Sequence, residues 1–190
     1  MLLGGVPLLG YFIYHRWRYG RTFVEVARRV GLQLGDPKYL IHSVAVAALS
    51  VFVLLILEPS PEPFAREGSA QSKFVGLGLG APAFTMAFFY GVVQTGFTEE
   101  LLFRGLIAGS LSRRLSVMWA NLVQALIFLL PHLLILTVMP EMWLLLPLVF
   151  AGSLIFGWVR IRSASILGPW IMHATVNVTM ALMVAAGTAA

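Results

Sequence analysis

The chain has 190 residues, of which 59% are hydrophobic and 11% charged, and its mean hydropathy is +0.88. Soluble domains carry about 25% charged residues, so this composition excludes an ordinary soluble fold and predicts an all-α, polytopic helical membrane protein. The absence of cysteine excludes disulfides, thiolate metal sites and a cysteine nucleophile. A net charge of +5 does not indicate nucleic acid, because the basic residues fall in loops between apolar runs.

In chain order the apolar runs predict about six spans: Met1–Tyr14, Tyr39–Leu57, Phe74–Ser110, Val117–Met139, Met142–Val159 and Ala164–Ala186. The first is the weakest. It lacks a basic residue ahead of its apolar stretch, so a short inserted helix is expected there and no cleavable signal peptide. The third is too long for one simple crossing. At about 1.5 Å per residue it runs to roughly 55 Å against about 30 Å of hydrocarbon. A tilted or broken helix is expected, with Gly91 and Gly96 as break points, or one span with a re-entrant half-helix. The stretch "VGLGLGAPA" reads as close helix packing; it has no lysine and no strand context for a phosphate loop.

Lysine and arginine divide unevenly between the loops. His15–Lys38 carries six, Leu111–Ser116 two and Arg160–Ser163 two, whereas the opposite side has only Arg66 and Lys73. Ten against two orients the basic side toward the cytoplasm. The Pro- and Glu-rich Glu58–Lys73 is linker-like and divides the chain into an N-terminal region, 1–73, and a four-span block, 74–190. His15 and His42 lie at span ends beside basic residues and read as interfacial, and Glu141 reads as solvated.

Three charges fall inside the third run, in "GFTEELLFRG". A charge at the bilayer centre costs at least about 2.5–3.5 kcal/mol on insertion scales, so such residues are paired, turned inward and often functional. Glu100 and Arg104 are i,i+4 and can pair along one helix face. Glu99 lies ~100° around the helix, with no basic residue at i±3 or i±4. A structural ion network is the plainer reading of Glu100 and Arg104, and a functional carboxylate the sharper reading of Glu99.

Two further spans hold His132, in "FLLPH" one turn after Phe128, and His173 with Asn177, in "HATVN", again one turn apart. Either histidine taken alone is often a hydrogen-bonded helix contact. Asn121 and Gln124 read as helix–helix hydrogen-bonding residues. One carboxylate, two imidazoles and an amide together suit hydrolysis by an activated water. Glu99 is a competent general base in a low-dielectric setting. His132 can orient the same water, and His173 with Asn177 can donate to a developing oxyanion. Zinc held by two histidines and a carboxylate ranks second; His-Glu-x-x-His and Gly-x-Ser-x-Gly are both absent.

"EELLFR", "FLLPH" and "HATVN", in that order on separate spans, resemble the CAAX prenyl protease and bacteriocin-processing family, also called Abi or type II CAAX endopeptidases. The likeness covers roughly residues 74–186. It implies a glutamate-dependent intramembrane endopeptidase with a cavity open to the cytoplasm and no cofactor. By position it implies water activation by Glu99 and His132, an oxyanion hole from His173 and Asn177, and support from Glu100, Arg104 and Phe128. Expected partners are membrane lipids and a peptide or membrane-anchored protein substrate, in a prokaryotic inner membrane. The competing reading is a non-catalytic scaffold, assembly or immunity subunit with a membrane partner. A proton-coupled transporter would also bury Glu and His, but predicts inverted repeats that the sequence does not show.

Overall fold

Apolar residues on every face, punctuated by Pro, Gly and short polar turns, yield helices alone: among the described residues there is no strand. The computed structural model describes residues 2–137 and 139–187. Met1 of the first expected span, Val138 of the fourth and residues 188–190 lie outside them.

Helix α1 covers Leu2–Tyr19, running past Tyr14 through Arg16 and Arg18. Helix α2, Phe23–Arg29, opens on a capping box, with Thr22 Oγ1 accepting from Glu25 N and the Glu25 carboxylate accepting from Thr22 N. Helix α3, Pro37–Leu57, starts where the Asp36 side chain accepts from Lys38 N and Pro37 fixes the first turn. It ends at Glu58, which takes a left-handed conformation at φ 41°. Helix α4 is the single turn Glu62–Ala65.

Helix α5 is continuous over residues 81–111 and is the element that differs most from expectation. It is not broken at Gly91 or Gly96. Instead its middle is wound wide, as π-helix, over Phe89–Phe97 and Glu100–Ala108. Wide winding advances less per residue, which shortens a run too long for one crossing. The glycine-rich lead-in is a turn and not a packing surface: Gly76 and Gly78 have φ of 75° and 61°, where other residues are strained.

Helix α6, Val117–Leu133, is capped by Ser116 and continues as 3₁₀ turns over Leu134–Thr137. After a second 3₁₀ stretch, Pro140–Leu145, helix α7 covers Leu146–Ser163 and helix α8 covers Leu167–Gly187. Arg160, counted above with a loop, belongs to α7. The helix ends only at Ala164, at φ 59°, and Arg160 is 5% exposed. Among the described residues, four stretches are long and apolar enough to cross a membrane: Pro37–Leu57, Val117–Thr137, Pro140–Ser163 and Leu167–Gly187. The last has the lowest mean hydropathy, 1.4, because it carries His173, Asn177, Thr175 and Thr179.

Helix α8 lies against the first half of α5 on one side and α3 on the other, while α6 pairs with α7. Lipid tails are as apolar as leucine, so small residues that let backbones approach drive such packing. Accordingly Ala83 and Ala87 of α5 meet Ala181 and Ala185 of α8, whereas Ile41, Phe52, Phe84, Phe89, Leu130 and Leu148 face outward. Gly91 marks the closest approach, where an added Cβ would lie 2.8 Å from the Val178 nitrogen and 3.2 Å from the Ala174 oxygen. Gly91→Ala is expected to cost about 1–3 kcal/mol by forcing α5 and α8 apart. Thermal unfolding in detergent micelles checks this, and an unchanged midpoint would refute the contact.

The N-terminal region is fastened to the rest. Ile166 N donates to Gly31 O at 3.0 Å and Asp36 N to Ser163 O at 3.2 Å. Gln33 Nε2 donates to Ala164 O at 2.8 Å. The linker-like stretch is likewise packed: Phe64 and Ala65 lie on the α5–α8 core around the fully buried Phe74, and Arg66 forms an ion pair with Glu141.

Candidate active site

Helix α5 brings Glu99, Glu100 and Arg104 to the centre of the bundle, where α6, α7 and α8 meet it. Glu100 and Arg104 are both fully buried. Arg104 Nη1 donates to Glu100 Oε1 at 3.0 Å and Nη2 to Ser153 Oγ at 3.1 Å. The guanidinium lies 4.1 Å from the Phe128 ring centroid and 5.3 Å from that of Phe156, a contact that is attractive to a cation. Arg160 Nε donates to the Arg104 carbonyl at 3.1 Å. Glu100 Oε2 and Arg104 Nε have no hydrogen-bond partner among the described residues.

His173 is the junction of the site. Its Nδ1 lies 2.8 Å from Glu100 Oε1, and its Nε2 lies 4.0 Å from Glu99 Oε2. A carboxylate oxygen accepts, so Nδ1 carries the proton and Nε2 is the nitrogen turned to Glu99. Glu99 takes no part in the Glu100–Arg104 pair, as its place around the helix implies, yet it comes to the same imidazole. A π-helix turns through a smaller angle per residue than an α-helix, so adjacent carboxylates reach the two nitrogens of one ring. The pair are nonetheless unlike: the Glu99 side chain is 33% exposed and that of Glu100 0%.

His132 stands across the site on α6. Its Nδ1 lies 2.8 Å from the Phe128 carbonyl, which can only accept, so Nε2 is left with its lone pair. The charges of Glu99 and Arg104 and the ring of His173 all act on it. Phe128 fills the space between, 4.5 Å from the His132 ring and 6.3 Å from the His173 ring. Glu99, His132 and His173 are not gathered into a group of three that could hold a metal ion, among the described residues.

Asn177, one turn along α8, donates from Nδ2 to Thr95 Oγ1 at 2.8 Å, and the Thr95 hydroxyl donates to Tyr90 O at 2.9 Å. Sequence reasoning passed over Thr95, although a hydroxyl four residues before Glu99 in an apolar helix was a usable signal. It also missed Ser153, which reads in sequence as one more small packing residue. Asn121 donates to Leu154 O at 2.9 Å and Gln124 to Ser153 O at 2.9 Å, so both tie α6 to α7.

The family model for Rce1-like type II CAAX prenyl endopeptidases matches residues 81–179, just over half of the chain. That range takes in α5 to most of α8 and every side chain of the site. No curated protein and no solved structure matches the chain.

Proposed function

The chain belongs to the Rce1-like family of type II CAAX prenyl endopeptidases, and on that premise we propose that it is an intramembrane endopeptidase that hydrolyses a peptide bond near the cytoplasmic face. The observation that carries this reading is the unequal exposure of two carboxylates on one imidazole. Glu100 is sealed in with Arg104, while the Glu99 side chain is partly exposed. The excess of lysine and arginine in the loops at one end supports a cytoplasmic setting for that end, in a prokaryotic membrane.

Glu99 takes a proton from water as the water oxygen attacks the scissile carbonyl carbon, and the lone pair on His132 Nε2 orients that water. The carbonyl oxygen gains the negative charge. Asn177 has a second N–H beyond the one given to Thr95, and it donates there. His173 donates from Nε2 when both its nitrogens are protonated, a charge that Glu99 and Glu100 balance. When the carbon–nitrogen bond breaks, Glu99 returns its proton to the leaving amine. Glu100, Arg104 and Phe128 hold His173 and His132 in place and touch no substrate.

Thr95 is a positioning residue in this scheme. Thr95→Val is expected to lower kcat about tenfold, the worth of one neutral hydrogen bond, with KM little changed. Thr95→Ser should restore the rate, and a Val variant as fast as wild type would remove Thr95 from the account.

The test is cleavage of membrane-anchored and prenylated peptides by the protein in proteoliposomes, with products identified by mass and with a chelator in a parallel arm. Cleavage indifferent to chelator is expected. Cleavage lost with chelator and restored by Zn²⁺ would replace the glutamate mechanism with a metal one. No cleavage by a folded protein that retains a membrane partner would favour the scaffold reading.

A further inference from the structure

At the basic end of the bundle, away from Glu99, the turn after α5 meets α1 and α2. Tyr11 of α1 is held there by two guanidinium groups: its hydroxyl accepts from Arg113 Nη2 at 3.0 Å and from Arg29 Nε at 3.5 Å. One turn along, the buried His15 accepts from Arg21 Nη1 at 2.6 Å. The partners of these three arginines are a phenol, an imidazole and the Ser110 hydroxyl, all neutral. Among the described residues none of the three is ion-paired with a carboxylate. The nearest acid, Glu25, faces Arg21 and Arg28, but its Oε2 is already taken by the Thr22 backbone and hydroxyl.

Like charges are thus collected with no carboxylate bonded to any of the three among the described residues. Burial, together with the charges of Arg29, Arg21 and Arg114, lowers Arg113 from its ordinary range. Such an arrangement is costly unless an anion completes it, and guanidinium forks match phosphate oxygens in geometry and charge. The depth of the cluster says which anion. Val6, Leu9, Ile13 and Trp17 form an exposed apolar stripe along α1, with Trp17 88% exposed. Directly after Arg114 the exposed Leu115, Met118 and Trp119 begin the apolar surface of α6. Tryptophans at such boundaries mark the membrane interface, so the arginines lie level with lipid headgroups.

We propose that Arg21, Arg29 and Arg113, gathered around Tyr11 and His15, form a binding site for the phosphate of an anionic phospholipid headgroup. The lipid fastens α1 and α2 to the turn after α5, and so braces the end of the helix that carries Glu99. The site is separate from the catalytic groups and stands whether or not the chain is a protease.

The test is thermal unfolding of the full chain in neutral detergent micelles, titrated with dioctanoyl phosphatidylglycerol, dioctanoyl phosphatidylcholine or inorganic phosphate. A saturable rise in midpoint is expected with phosphatidylglycerol alone. Each guanidinium removed should raise the half-saturating lipid concentration about fivefold, so Arg29→Gln with Arg113→Gln should raise it about 25-fold. Arg21→Gln alone, about fivefold, carries the test if the double variant does not fold. Arg66→Gln, in the ion pair with Glu141 elsewhere in the fold, should change nothing. An equal rise with phosphatidylcholine, an equal rise with inorganic phosphate, or an unaltered titration in the arginine variants would each overturn the proposal.

Discussion

Replacing Glu99 by glutamine is expected to lower peptide cleavage by about 10²–10⁴-fold, the usual contribution of a general base, and to leave the protein as stable as wild type. The two halves of this expectation rest on different facts. The rate falls because an amide cannot take the proton from water. Stability holds because Glu99 is the accessible carboxylate, 33% exposed, 4.0 Å from His173, with no close ion pair to lose. The measurement pairs initial rates in proteoliposomes with an unfolding midpoint in the same detergent. An active Glu99→Gln variant would end the glutamate mechanism. An inactive variant that is also unfolded would mean Glu99 is structural and that the catalytic argument had used the wrong carboxylate.

The choice between the two carboxylates shows where the sequence stops being readable. That Glu99, Glu100 and Arg104 had to face inward was legible, because uncompensated charge in hydrocarbon is expensive whatever the fold. The Glu100–Arg104 pair follows from i,i+4 spacing and is found at 3.0 Å. The direction of Glu99 was not legible. The 3.6-residue period assumed for α5 fails over Phe89–Phe97 and Glu100–Ala108, and no composition rule signals a π-helix. Partners supplied from another helix were hidden for a related reason. Thr95 for Asn177 and Ser153 for Arg104 are common small residues whose role appears only once the helices are docked. Arg160 misled in the opposite way: as an arginine near a span end it read as a loop residue, yet it finds two backbone carbonyls, those of Arg104 and Arg29, and is buried. The helical class and the apolar runs, by contrast, needed only hydropathy and turn residues, and the long helices follow those runs to within a few residues apart from the turn ahead of α5, while α2 and α4 fall in stretches that read as loops.

Arg104 predicts the largest loss of stability. Arg104→Met keeps most of the side-chain volume and the contact with Phe128 and Phe156, but removes the guanidinium bonded to a carboxylate that is itself 0% exposed. Glu100 is then a buried anion facing His173 alone, and breaking a buried pair from one side costs about 3–5 kcal/mol. Glu100→Gln in the same chain removes the orphaned charge while an amide oxygen still accepts from His173 Nδ1, so the double variant should recover a large part of that loss. Unfolding free energies of the two single variants and the double variant form a cycle whose coupling reports the pair itself. If Arg104→Met unfolds at the wild-type midpoint, the pair is not what holds α5 against α7 and α8. If the double variant is no better than the single one, the loss came from the Ser153 hydrogen bond and the aromatic contacts. Recovery of stability without recovery of cleavage is the informative result. It would show that the fold tolerates a neutral centre, while the reaction requires the Glu100 charge that orients His173 beside Glu99.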